Sequence, residues 1–193
     1  MAIDTNPGEK VISPAKLAHV VLRTNNLQPM VDFYQTFLGA KIQYANDFLA
    51  FLTYDDEHHR IAIAQLPGLG AKVPQSCGLE HIAFTFNTLS DLLTAYRQRK
   101  AHGMLPQWCV NHGPTTSIYY LDPDGNRIET QVDAFGTSEE ANAFMASKEF
   151  SENPLGVDFD PEELIGRVER GEDEKVLLKR VEIGPRGLES IPI

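Results

Sequence analysis

The feature that most constrains this chain is that it repeats itself. The segment LAHVVLRTNNLQPMVDFYQTFLGAKI, from Leu17, matches LEHIAFTFNTLSDLLTAYRQRKAHGM, from Leu79, at a constant offset of 62 residues with no gap. Leu17 falls on Leu79, His19 on His81, Leu27 on Leu89, Met30 on Leu92 and Tyr34 on Tyr96. Self-similarity at a fixed offset marks a supersecondary unit that is used more than once.

Each copy opens with an alternating, β-rich run and then changes period. In the first copy Leu27, Met30, Val31, Tyr34 and Leu38 recur at spacings of three and four, which predicts a helix. Leu89, Leu92, Leu93 and Tyr96 do the same in the second. Asn26 and Thr88 precede these helices as candidate N-caps, and Gly39 and Gly103 suit their exits. Three strands are expected after each helix: near 41–44, 48–54 and 60–65 in the first copy, and near 105–110, 117–121 and 127–132 in the second. The run DPDGNR, from Asp122, reads as a tight turn between two of these strands, and DDEHHR, from Asp55, is its counterpart. The Pro- and Gly-rich stretch 66–78 links the copies.

Beyond residue 135 the character changes. Residues 136–193 hold 14 acidic and 7 basic residues, so they carry −7 of the total charge of −10. Helices are expected at 138–148 and 161–170, a solvated GEDEK run from Gly171, and an extended PRGLESIPI end. This tail either wraps the core, covers a subunit contact or stands off as a solvated appendage. A chain this acidic is a poor match for nucleic acid or an anionic membrane surface. No apolar run approaches the roughly 20 residues of a membrane span. The N-terminal MAIDTNPGEK does not read as a secretory signal. Cys77 and Cys109 form no disulfide framework, and a reducing, cytoplasmic setting is expected.

The repeat also suggests chemistry. His19 and His81 hold equivalent places at the first strand of each copy, and pseudo-two-fold symmetry brings equivalent places together about one axis. Glu129, in the last strand of the second copy, supplies a carboxylate. Two neutral imidazoles and one carboxylate with open positions form the facial triad of non-haem Fe(II) oxygenases. Aligning Arg60 with Arg127 sets Glu129 against Ala62, which cannot coordinate, so three protein ligands are expected rather than four. The bland alternative is a pair of satisfied strand histidines and a solvent-facing glutamate. Phe48, Phe51, Phe84 and Trp108 are candidates for an aromatic pocket or for ordinary core.

These residues carry a resemblance. H-V-V-L in the first copy, H-I-A-F in the second and Y-x-x-D-P-D-G-N-R-I-E resemble the vicinal oxygen chelate superfamily, which includes glyoxalases, bleomycin-resistance proteins and type I extradiol dioxygenases. The likeness is greatest to the extradiol dioxygenases and spans roughly residues 15–134. It implies an α+β fold of two tandem βαβββ modules, forming a curved mixed sheet around a metal-binding cleft. The modules fall at about 15–66 and 79–135 of a domain over 1–135, with 136–193 as an acidic C-terminal extension. It implies His19, His81 and Glu129 as ligands of Fe(II), with Mn(II), Zn(II) or Ni(II) as alternatives. Tyr119 matches a tyrosine that hydrogen-bonds the bound substrate, and adjacent Tyr120 is the alternative for the inward face. His112 resembles a histidine at the rim that assists the substrate oxygen, although it stands closer to Tyr119 than the family usually places it. The family's further acid/base histidine has no counterpart between His59 and His81. His58 and His59 are the imidazoles nearest that stretch. The activity implied is ring cleavage of a catechol-like diol with dioxygen, by a homodimer. A metal-dependent lyase or isomerase, and a non-catalytic small-molecule binder, are the other functions this scaffold serves.

Overall fold

A computed structural model describes residues 11–73 and 75–192. The N-terminal ten residues read above for a signal, Pro74 of the linker and the terminal Ile193 lie outside the described residues. The chain divides into two compact units, residues 1–69 and 70–193.

The first unit is one βαβββ module: β1 (Val20–Thr24), α1 (Leu27–Leu38), β2 (Lys41–Ala45), β3 (Leu49–Thr53) and β4 (Ile61–Gln65). Its sheet runs β1-β4-β3-β2, with β1 parallel to β4 and the remaining pairs antiparallel. The helix buries Met30, Val31, Tyr34 and Phe37, one apolar stripe. Asn26 stands before it without a side-chain cap; Thr24 Oγ1 accepts from the Asn26 backbone N–H, and the amide of neighbouring Asn25 donates to the Leu69 carbonyl. At the exit Gly39 takes φ 62°, where a side chain would be strained, and its N–H bonds back to Gln35.

The second unit repeats the plan and adds to it. Here β5 (His81–Phe86), α2 (Leu89–Ala101), β6 (Trp108–Asn111), β7 (Thr115–Leu121) and β8 (Arg127–Asp133) form the module. The order β5-β8-β7-β6 again puts a parallel pair at one end. Thr88 caps α2 by accepting from Asp91 N–H. In the turn before β8, Asp122 accepts from the N–H groups of Asp124 and Asn126 and from the Asn126 side chain. That carboxylate, more than the Asp-Gly pair inside it, frames the turn.

The segment after residue 135 packs onto this unit, so the appendage reading does not describe it. It contains α3 (Ser138–Met145), α4 (Lys148–Glu152), α5 (Pro161–Glu169), α6 (Glu174–Leu177), a 3₁₀ turn (Leu188–Ser190) and a short strand, β9 (Val157–Asp158), which extends the sheet beyond β6. Its acidic residues have partners. Glu162 meets Lys100, Arg97 and Tyr96 on α2, and Glu169 meets Arg97. Glu174, within the run expected to be solvated, accepts from the N–H groups of Leu89 and Ser90 at the start of α2. A carboxylate at a helix N-terminus meets both unpaired donors and the positive end of the helix dipole. Among the described residues no helix is long and apolar enough to cross a membrane.

Candidate metal and substrate site

Side chains alternate across a sheet, and the register of β5, β8 and β7 decides which of them meet. Ala83, Glu129 and Tyr119 lie abreast on three neighbouring strands, and His81 is paired with Arg127. Glu129 is only 4% exposed. Its Oε2 lies 2.9 Å from His81 Nε2. The other ring nitrogen of His81 is engaged by the Glu80 carboxylate. The bond from Glu129, reinforced by Glu80 against the cost of burial, raises the His81 pKa to about 9. Burial pushes Glu129 upward, but His81 and the Ser117 hydroxyl outweigh it, so its pKa lies below the ordinary value. Burial and the nearby Glu129 charge drive the Tyr119 phenol well above its usual range.

A second layer surrounds this pair. His112 Nδ1 is 2.7 Å from the Leu155 carbonyl, and its Nε2 is 3.0 Å from the Tyr119 hydroxyl. A carbonyl only accepts, so Nδ1 carries the proton. Burial lowers the His112 pKa and keeps the ring neutral, so Nε2 is an acceptor and the Tyr119 O–H donates to it. Trp108 stacks on Tyr119 with centroids 5.2 Å apart and donates its indole N–H to Asp158 at 2.7 Å. Arg186 forks onto Asp158 at 2.8 and 2.9 Å and lies over the Trp108 ring. Ile191 packs against the cluster of Trp108, Val110 and Tyr119.

Phe84 and Tyr120 belong to the opposite face. Phe84 alternates with His81 and Ala83 along β5, on the side of Phe86, which packs under Arg99 of α2. Tyr120, 1% exposed, also lies beneath Arg99. A one-residue step along a strand reverses the direction of the side chain. The pocket-lining role expected for these two therefore gives way to a place in the helix-covered core.

In the first unit His19 is exposed and immediately precedes β1, with its ring 4.3 Å from that of His59. His59 in turn stacks on Phe51 at 4.5 Å and meets His58 ring to ring. Phe48 stands 60% exposed at the turn before β3. The register also compares the modules. Phe51 is paired with Ala62, as Tyr119 is with Glu129, and Val20 N–H bonds to the Arg60 carbonyl just as His81 is paired with Arg127. So Ala62 and Phe51 hold the places of Glu129 and Tyr119: the first module keeps the histidine and lacks both the carboxylate and the phenol.

Among the described residues no three His, Cys, Asp or Glu side chains form a group able to hold a metal ion. The donor pair His81 and Glu129 nonetheless suits a divalent cation. A nitrogen and an oxygen face each other at hydrogen-bond distance, and the carboxylate is buried, where it needs a positive partner. Sequence reasoning missed Asn153, Leu155, Asp158, Arg180 and Arg186. They lie in the C-terminal segment and act on the site through contacts 27 to 68 residues away in sequence. The one local cue was the turn-forming Asn-Pro at 153 and 154.

A family model, the Glyoxalase/Bleomycin resistance protein/Dioxygenase superfamily, matches residues 16–130. The chain belongs to that superfamily. Among its curated relatives, biphenyl-2,3-diol 1,2-dioxygenase 2 of Rhodococcus globerulus is 47% identical over 147 residues, covering 76% of this chain and 77% of that protein. Biphenyl-2,3-diol 1,2-dioxygenase 3 of the same organism is 44% identical over 167 residues, covering 86% and 88%. The second match covers too much of the chain to stop at residue 135, so it reaches well into the C-terminal segment. Of the solved structures, a glyoxylase/bleomycin resistance protein/dioxygenase domain from Frankia sp. EAN1pec has the same fold, with a TM-score of 0.55 at 17% identity over 66% of this chain and 98% of that one.

Proposed function

We propose that this chain is an extradiol ring-cleaving dioxygenase that opens a biphenyl-2,3-diol or related catechol with dioxygen, using Fe(II) held by His81 and Glu129. The observation that carries the reading is the buried Glu129 carboxylate facing His81 Nε2, with the Tyr119 phenol beside it on the next strand. Its similarity to the two biphenyl-2,3-diol dioxygenases supports the same assignment. Ala62, in the place of Glu129 in the first module, offers no further carboxylate ligand. When bound, iron would supply adjacent coordination positions for the diol and dioxygen, and the electronic path between them.

The protein's own groups have definable tasks. His112 Nε2, a neutral acceptor, takes a proton from a hydroxyl delivered beside it. Tyr119, with a pKa well above the usual phenol value, stays protonated and donates a hydrogen bond to oxygen carrying negative charge. Trp108 gives the substrate ring an aromatic wall whose angle is set by Asp158 and Arg186. Phe51 is the corresponding aromatic of the first module.

The test is anaerobic loading with Fe(II), followed by oxygen uptake with biphenyl-2,3-diol, catechol and alkylcatechols. One dioxygen consumed per diol, with a yellow ring-fission product, is expected. Glu129→Gln should abolish both uptake and iron retention. An iron-loaded chain that consumes no oxygen across that panel overturns the proposal.

A further inference from the structure

The turn Asn153–Gly156 has more internal bracing than a surface loop requires. Asn153 is 1% exposed. Its amide donates to the Gly156 carbonyl at 3.0 Å, and its Oδ1 accepts from Gly156 N–H at 2.8 Å, closing the turn on itself. Gly156 takes φ 94°, and a Cβ there would come within 2.1 Å of the Asn111 carbonyl oxygen and 2.7 Å of His112 Cα. The turn is thus pressed against the backbone that carries His112. Arg180 ties the two together: its Nη1 donates to the His112 carbonyl at 3.0 Å and to the Asn153 carbonyl at 2.7 Å. Asn111 is anchored from the same segment by the Leu178 carbonyl, 2.9 Å from its amide nitrogen.

The braced turn fixes the direction of the Leu155 carbonyl. That oxygen meets His112 Nδ1 at 2.7 Å. A neutral imidazole has one donor and one acceptor, and a carbonyl can face only the donor. The other tautomer would set a lone pair against the carbonyl and an N–H against the Tyr119 hydroxyl, which would have to rotate its own proton away. We infer that the Asn153–Gly156 turn is a positioning device for His112: by presenting the Leu155 carbonyl to Nδ1 it keeps Nε2 as the acceptor toward Tyr119 and any substrate hydroxyl beside it. Asn153 is therefore a positioning residue, acting through His112. The inference rests on the dioxygenase reading for its effect on turnover, but the choice of tautomer does not.

Two readouts test it on the full chain. Long-range proton–nitrogen spectra of the iron-free protein labelled with nitrogen-15 histidine report the tautomer of His112 directly. The wild type should show only the Nδ1–H form, and Asn153→Ala a mixture in which Nε2–H is plainly seen. With Fe(II) and biphenyl-2,3-diol, Asn153→Ala should lower kcat about tenfold, the worth of one oriented hydrogen bond at the transition state, and leave KM within about twofold. In a His112→Phe background the same change should add less than about a twofold loss, because the residue it acts through is gone. If Asn153→Ala does not fold, Asn153→Asp keeps the acceptor for Gly156 N–H and replaces the donor by a charged oxygen that repels the Gly156 carbonyl, and the tautomer seen in the same spectra decides. The inference is overturned if His112 keeps its Nδ1–H tautomer in the variants, or if the loss in kcat is as large without His112 as with it. A wild-type chain that opens no diol would defeat the dioxygenase reading, and the spectra alone would then uphold or overturn the role of the turn.

Discussion

Replacing Arg180 by Met probes how the C-terminal segment is held. The Arg180 side chain is only 1% exposed. It donates to the carbonyls of His112, Asn153 and Glu149, and pairs with Glu182 at 2.8 Å. Methionine keeps much of the stem volume and removes every donor. The Glu149 carbonyl keeps the Asn153 N–H, whereas the His112 and Asn153 carbonyls each lose the Arg180 donor, at about 1–3 kcal/mol apiece. The Glu182 carboxylate is 41% exposed, so loss of that pair adds at most about 1 kcal/mol. Against this, the variant no longer takes a guanidinium out of water, a relief of several kcal/mol in principle, though hydrogen bonds to the charge have already offset much of it. The net loss expected is about 2–4 kcal/mol, or a Tm lower by roughly 5–15 °C in a chain of this size. The one tryptophan, Trp108, lies in the same unit, so its fluorescence in a urea titration follows the right transition. The midpoint should fall with an unchanged slope. Arg180→Lys, which keeps the charge and loses the fork, should fall in between. A loss under about 1 kcal/mol for Arg180→Met would refute the view that the His112 and Asn153 carbonyls depend on this side chain.

Other consequences can be checked separately. Tyr119→Phe should leave the fold intact and lower kcat for biphenyl-2,3-diol by about a hundredfold, the cost of one donor to developing negative charge, with iron content unchanged; an active variant would remove Tyr119 from the site. Burial, with the charges of Asp160 and Asp158, pushes the Cys109 thiol up to about 12, whereas Cys77 is exposed. A disulfide-exchange reagent at pH 8 should therefore titrate one thiol quickly and the second only on unfolding, and two fast thiols would contradict the burial. Burial raises the pKa of Asp158, but the bonds from Arg186 and Trp108 prevail and hold it below the ordinary aspartate value. Its folded pKa is thus the lower one, so its contribution is present above about pH 4 and is lost as the pH falls through that depressed value. Asp158→Asn should lower stability at neutral pH and flatten the acid limb of the urea midpoint plotted against pH; an unchanged acid limb would show that the pair contributes nothing.

Much of the architecture was legible because it depends on local periodicity. The spacing of Leu27, Met30, Val31 and Tyr34 implies a helix whatever surrounds it, and the 62-residue repeat implies that the helix and its three strands recur. Aligning Arg60 with Arg127 was enough to set Ala62 against Glu129, and the strand register follows the same pairing. Facing was harder. Tyr119 and Tyr120 are equally apolar and equally β-prone, and nothing in their neighbourhood along the chain says which meets Glu129. The register with β8 puts Tyr119 there and Tyr120 beneath Arg99. The acidic run at 171–175 looked solvated because the donors that Glu174 satisfies belong to a helix more than eighty residues earlier.

The amino-acid order by itself put forward the residues proposed to carry the chemistry, since few side chains have the donor atoms for it. Tertiary structure alone decided their states. Which proton His112 bears, how far burial moves Glu129 and Tyr119, and which carbonyls Arg180 satisfies all depend on groups brought together from distant parts of the chain. Electrostatic and hydrogen-bond energies fall off over a few ångströms of space, and separation along the polypeptide does not measure that distance.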